Sequence, residues 1–220
     1  KKHIQKEAEQ SNTIEKLKKE IEEYKDKIEE MNEKIEELSK EIRKQQSPEI
    51  ITINYNPNQE FNGIIKYLTD ETDGNIHDNG TIKVTSNSIL DDYHPKNLLN
   101  TEKTSQYQSD DNSFAWICFD FKNRLIEISS YSIESCNWEK NAGHLKCWII
   151  EISDDKQKWI EIDKHDKCKD LNGPNLIKTY QVKQNHFVRY VRFRHTCECW
   201  DEGTIGFNAI EFYGRLKMNS

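Results

Sequence analysis

The sequence predicts an all-β sandwich preceded by a long α-helix that associates with copies of itself. Three observations carry this. Apolar residues recur at alternating steps of three and four from Ile14 to Ile42. After Pro48 the period falls to two, across nine short runs rich in Ile, Val, Phe, Tyr and Trp. No strong helical pattern separates those runs, which points to an antiparallel sandwich or barrel.

The first element spans residues 1–47. Ile14, Ile21, Ile28, Ile35 and Ile42 occupy position a of a heptad, and Leu17, Tyr24, Met31 and Leu38 occupy position d. A period of about 3.5 imposes a left-handed supercoil, because a straight helix has about 3.6 residues per turn. Ile at a with Leu-like residues at d favours a parallel pair, and Glu20 at g would face Lys25 at e of the partner. The other reading is a solvated single helix held by Glu–Lys pairs four apart. The polar faces leave the stripe nothing else to bury against, so a homodimer is expected. Ser47-Pro48 ends the helix, since Pro restricts the preceding residue and cannot continue the ladder.

Composition limits the partners. The chain is 34% hydrophobic and 32% charged, against averages of roughly 45–50% and about 25% for soluble domains. The excess charge lies in the helix. A net charge of -7 argues against nucleic acid and against an anionic membrane surface, both of which require Lys and Arg. No apolar run is long enough to span a bilayer. The chain opens Lys1-Lys2-His3, without an initiator Met or a signal peptide, and reads as a piece of a longer protein. Of Cys118, Cys136, Cys147, Cys168, Cys197 and Cys199, several sit in apolar, strand-like runs. They are expected to be six reduced thiols in a cytoplasmic protein.

The expected strands are 50–55, 81–88, 115–121, 125–133, 145–153, 159–163, 177–182, 188–194 and 208–213. Turn formers such as Asp78-Asn79-Gly80, Lys122-Asn123-Arg124 and Asn172-Gly173-Pro174 separate them. Residues 48–78 form a lead-in, in which Phe61–Leu68 reads as one or two helical turns packed on the sandwich.

Residues 79–217 carry a family likeness. Asn79–Ser88 resembles a first strand ending Thr/Ala-Ser-Ser, and Pro95–Asn100 the short segment that follows. Ala115–Phe121 resembles the strand Trp-Ile-x-Val-Asp-Leu. Trp148–Asp155 with Trp159 resembles Tyr-Ser-x-Asp-Gly-x-x-Trp. Arg189–Phe193 resembles Arg-Tyr-Ile-Arg-Leu, and Ala209–Gly214 the closing Glu-hydrophobic-Tyr-Gly. In this order the motifs resemble the coagulation factor V/VIII type C, or discoidin, domain. The lead-in is similar to that of intracellular discoidin-like domains, many of which follow BTB-type domains.

The resemblance implies an eight-stranded, galactose-binding-like jelly roll with ligand loops at one end and both termini at the other. The loops would be 89–94, 135–144 and 199–206, bringing together Tyr93, His94, Trp138, Asn141, His144, Trp200 and Asp201. Secreted members usually join the first and last strands by a disulfide, and no Cys lies near Asn79 or Gly214. Sugar-binding members often hold Ca²⁺ with an Asp-Gly-Asn pattern, where this chain has Asn100-Thr101-Glu102, so no cofactor is expected. Membrane-binding members expose apolar spikes, where this chain has the acidic loop Ile89–His94.

The chemistry-bearing motifs are few. No phosphate loop, His-Glu-x-x-His or Gly-x-Ser-x-Gly occurs, so no enzymatic activity is expected. His195, Cys197 and Cys199 would share one side of a strand and suit Zn²⁺, but no fourth ligand lies nearby, and packed cysteines are the expected reading. The sequence therefore reads as a non-catalytic oligomeric binding module. Its leading interpretation is a protein-interaction adaptor with an unidentified protein partner, and the alternative is a carbohydrate-binding module.

Overall fold

The computed structural model describes residues 2–45, 48–72, 74–100, 105–110, 114–183, 186–200 and 204–218. It divides into two compact units at Ser47/Pro48.

The first unit is one helix, α1 (Lys2–Gln45). Its nine apolar a and d residues, Ile14 through Ile42, are each 52–63% exposed. The helix itself leaves this stripe uncovered. The polar faces carry local ion pairs, Lys25–Glu22 at 3.1 Å and Lys40–Glu36 at 3.7 Å. Exposed pairs of this kind add only about 0.3–0.5 kcal/mol each.

The second unit is a two-sheet sandwich. In chain order its elements are β1 (Ile50–Ile53), α2 (Ile64–Thr72), β2 (Lys83–Ser86), a 3₁₀ turn (Pro95–Leu99), β3 (Tyr107–Gln108), β4 (Trp116–Asp120), β5 (Arg124–Ser135), β6 (Trp148–Ser153), β7 (Ile160–His165), β8 (Ile177–Gln181), β9 (Tyr190–His195) and β10 (Gly206–Met218). One sheet has the order β1-β10-β5-β8, with β3 also paired to β10. The other runs β2-β4-β9-β6-β7. All pairings are antiparallel.

Each expected strand is present, with altered ends. The two-residue β3 was not expected, because Tyr107-Gln108 is too short to show a period; it forms by pairing with Gly206 and Phe207. The helix expected at 61–68 is α2, shifted to 64–72. The two long strands also carry a phase change. Tyr213 pairs with Ser130 and Gly214 with Ile128, so Ser129 is an extra residue. This bulge lets Ile126 and Ile128 before it, and Tyr131 and Ile133 after it, all enter the core.

The core between the sheets is aromatic. Trp148, Tyr131, Phe119, Phe193, Phe207 and Phe212 are all at most 2% exposed, and Phe119 meets Phe212 edge-on at 5.2 Å. A chain of hydrogen bonds runs through it. The Trp148 indole N–H donates to the Tyr131 hydroxyl at 2.9 Å, and that hydroxyl donates to Asp163 at 2.6 Å. His165 meets the same Asp163 oxygen at 2.9 Å and stacks on Trp148. The chain of bonds links both sheets, where an unpaired hydroxyl would cost about 1–3 kcal/mol.

Strand direction determines where the loops go. β2, β5, β7 and β9 finish at one end of the sandwich, and β4, β6, β8 and β10 begin there. Of the described residues, 87–94, 105–110, 114–115, 136–147, 166–176, 196–200 and 204–205 therefore gather at that end. Ile50 pairs with Lys217, so the start of β1 and the finish of β10 lie together at the opposite end.

Candidate functional site, the loop end of the sandwich

The loops are laced by a backbone ladder. Gln108 N–H donates to Tyr93 O at 3.3 Å, and Leu90 N–H donates to Gln108 O at 3.0 Å. Gln108 pairs with Gly206, whose N–H donates to Gly143 O at 3.1 Å. The loops holding Tyr93, Trp138 and the start of β10 are thus successive rungs of one structure.

Trp138 is half-buried against two glycines. A Cβ at Gly206 would lie 2.4 Å from its ring, and one at Gly143 would lie 2.9 Å from it. Only glycine leaves room for the indole at either position. Trp200 is also half-buried, with the Lys146 ammonium 5.1 Å above its ring. Tyr93 is 38% exposed. His94 is exposed and lines a different cavity, with His77, Ile89, Pro95 and Lys96. Asp201 lies outside the described residues, as do Thr101 and Glu102 of the segment compared with a calcium pattern.

His144 does not belong to the surface. It is fully buried, and its Nε2 is 3.2 and 3.1 Å from the carbonyls of Trp138 and Glu139. It therefore shapes the loop that carries Trp138 and cannot touch a ligand. Asn141 is exposed, but its side chain is engaged. Asn141 N–H donates to Asn172 Oδ1 at 2.8 Å, and Asn172 Nδ2 donates back to Asn141 Oδ1 at 2.7 Å. Beside it, Asn175 donates to Asn137 at 3.0 Å.

Sequence reasoning missed Lys146, Asn137, Asn172, Asn175 and Phe114, which is 65% exposed. Asn172 and Asn175 lie on the β7–β8 connection. Their own sequence signals only a turn, and the strand order alone brings them to this end.

The expectation of six free thiols is overturned. Cys147 and Cys197 form a disulfide, with Cα atoms 5.4 Å apart. Cys118, Cys136 and Cys168 are free thiols. Burial pushes the Cys136 thiol well above its ordinary range and the Cys118 thiol up to about 11, so both are unreactive. The two bridged residues are 50 apart in sequence, Cys147 within an expected strand and Cys197 just past another; pairing β6 with β9 is what brings them together. The bridge also rules out the zinc grouping considered for His195, Cys197 and Cys199, because the Cys197 sulfur is already bonded. Among the described residues no three His, Cys, Asp or Glu side chains are grouped to hold a metal ion, and no helix is long and apolar enough to cross a membrane.

This arrangement of six ordered motifs on two antiparallel sheets can be compared with known proteins. A family model described as the F5/8 type C domain matches residues 81–208, more than half of the chain. The chain belongs to the F5/8 type C family. Domains of this family are binding modules. β1 and α2 lie outside the matched residues and extend the F5/8 type C core. No curated protein matches the chain.

Among solved structures, the chain is similar to CpGH89CBM32-5 of Clostridium perfringens, in complex with GalNAc-β-1,3-galactose. The identity is 13%, over 61% of this chain and 96% of that one, at a TM-score of 0.51. Chitosan-binding module 1 from a chitosanase/glucanase of Paenibacillus sp. IK-5 gives 17% identity over 61% and 96%, with a TM-score of 0.48. The family 32 module of C. perfringens NanJ, in complex with galactose, gives 10% identity over 61% and 94%, with a TM-score of 0.49. At these identities the likeness is one of fold.

Proposed function

We propose that this F5/8 type C domain is a non-catalytic glycan-binding module, and that α1 joins two copies into a multivalent binder. The observation that carries the reading is that the loops at one end of the sandwich hold the Tyr93, Trp138 and Trp200 rings and the uncharged amides of Asn137, Asn141 and Asn175. A sugar ring offers an apolar C–H face and paired hydroxyls, which aromatic faces and amides suit. The glycan named for the Clostridium perfringens neighbour supports the same class of ligand.

A protein partner is the second reading. The exposed Phe114 favours it, since aromatic anchors dominate protein interfaces. Of the two sequence features behind the adaptor interpretation, acidity stands and fully reduced cysteines do not. The Cys147–Cys197 disulfide supports residence in an oxidising compartment in preference to the cytosol.

Calorimetric titration of the whole chain with GalNAc-β-1,3-galactose, alongside a glycan array, tests the proposal. Tyr93→Ala and Trp200→Ala are each expected to weaken binding by about tenfold or more, the effect of losing an aromatic anchor. Their unfolding temperatures should stay near the parent's, because both side chains are partly exposed. An array with no bound glycan, or full affinity in both variants, would show the reading to be wrong.

A further inference from the structure

The disulfide joins Cys147, the residue just before β6, to Cys197, two positions past β9. Its two sulfurs differ in access: Cys147 is 3% exposed, whereas Cys197 is half-buried. Two open grooves of about 440 and 420 Å³ flank the bridge, and Cys147, Asp166 and Cys197 line both. The second groove adds Phe114, Lys146, Lys167 and Glu198. It therefore presents two ammonium groups and two carboxylates beside an apolar ring, in a space of small-ligand size. A short peptide thiol carries the complementary set, carboxylates and an ammonium group around one sulfur.

We propose that the Cys147–Cys197 bridge is a thiol-exchange site whose substrate is a small zwitterionic thiol of the glutathione class. The thiolate attacks the accessible Cys197 sulfur. A mixed disulfide forms on Cys197, the Cys147–Cys197 bond breaks, and Cys147 leaves as a thiolate that takes a proton from water. A second thiolate attacks the outer sulfur of the mixed disulfide and releases Cys197. Two small thiols are thereby oxidised to one disulfide, and the bridge is reduced to two thiols.

The effect on the loop end rests on the glycan-binding reading above. Lys146, next to Cys147, donates to the Cys199 carbonyl at 3.4 Å and covers the Trp200 ring. The bridge and Lys146 thus tie Cys199 and Trp200 to the start of β6. Trp138 is held separately, by the Gly143–Gly206 bond, His144 and the Asn141–Asn172 pair. Opening the bridge removes one of these two ties, so that Trp200 is held less firmly, and leaves the contacts around Trp138 in place.

The test treats the whole folded chain with millimolar reduced glutathione, traps thiols by alkylation and maps them by mass spectrometry. Glutathione is expected on Cys197 and the alkylating group on Cys147, with buried Cys118 and Cys136 unlabelled. An intact bridge in the folded chain, or glutathione on Cys147 in preference to Cys197, overturns the proposal. Hydrogen exchange on the reduced chain should rise in the peptide carrying Cys199 and Trp200 and stay low in the peptide carrying Trp138 and His144. Equal change in both, or change in neither, overturns the loosening of Trp200. Affinity for GalNAc-β-1,3-galactose should fall about tenfold on reduction. The Cys147→Ser plus Cys197→Ser variant should match the reduced parent with or without glutathione. Unchanged affinity in a chain that binds overturns the coupling. If the oxidised chain binds no glycan, the function proposed above fails, and the glutathione mapping still decides the exchange.

Discussion

Replacing Ile21 and Ile28 together by Asp is expected to leave the chain monomeric at micromolar concentration, where the parent is expected to sediment as a dimer. Both are position-a residues, 55% and 58% exposed on the isolated helix. Burying a large aliphatic side chain fully is worth about 1.5–3 kcal/mol. Eight such residues and Tyr24 form one stripe, each more than half exposed. Aspartates at successive a positions would put like charges across the seam in a low-dielectric setting, where unpaired charge is strongly disfavoured. The functional effect should be larger on a surface than in solution. Joining two weak sites raises overall affinity by roughly 10²–10⁴ when both can engage. Retention on a densely glycosylated surface should fall by that order in the variant, and affinity for a free disaccharide should not change. A parent that sediments as a monomer would remove the basis for the oligomeric proposal.

The second large effect concerns Glu211, which is 2% exposed on β10 at the N-terminus of α2. One carboxylate oxygen accepts from Ile65 N–H at 2.7 Å and Phe212 N–H at 2.8 Å, and the other accepts from Lys66 N–H at 3.0 Å. A Cβ at Gly63 would lie 2.5 Å from the Glu211 side chain, so glycine permits the approach. Burial pushes the carboxyl from its ordinary 4.5 up to about 7, although these backbone bonds pull it down. The folded chain therefore holds a proton that the unfolded chain has lost between those two values. Stability from this group is fully present below about pH 4.5 and is lost as pH rises through about 7, an effect of roughly 3 kcal/mol.

Glu211→Gln should flatten the pH dependence of thermal unfolding across that window. Glu211→Ala should lower stability at every pH by about 3 kcal/mol or more, because buried amides lose their acceptor. The expected drop in unfolding temperature is about 2–4 °C per kcal/mol for a domain of this size. Asp120, Glu151 and Asp163 do not interfere. Burial raises each, but bonds from Arg189, from Arg194 and Arg192, and from His165 and Tyr131 outweigh it and hold all three below the ordinary carboxylate range. Their contributions are lost only as pH falls below that range. A parent with a flat profile between pH 5 and about 7 would refute the assignment.

Much of the fold was legible because its signals are local. A strand with one buried face shows a period of two, and a helix seeking a partner shows a heptad; both periods lie within a few residues. The phase change at Ser129 was less legible, because a bulge is set by pairing with Gly214 and leaves no signature in its own strand. Tyr107-Gln108 was invisible for a related reason, since a two-residue strand exists only through its partner. In the candidate site, Tyr93, Trp138 and Trp200 stood out as aromatics in loops. His144 looked equivalent and proved to be buried, because the loop closes over its ring to satisfy the Trp138 and Glu139 carbonyls.

By itself, the sequence determined the β-rich domain after Pro48, the exposed apolar stripe of α1 and the family's ordered motifs. These depend on which side chains follow one another. Tertiary structure alone decided that Cys147 meets Cys197, that Asn172 reaches Asn141 and that Glu211 meets the amides of Ile65 and Lys66. Those contacts join residues 31 to 146 positions apart. They arise from strand order and register, which burial of both sheet faces selects and which no local period records.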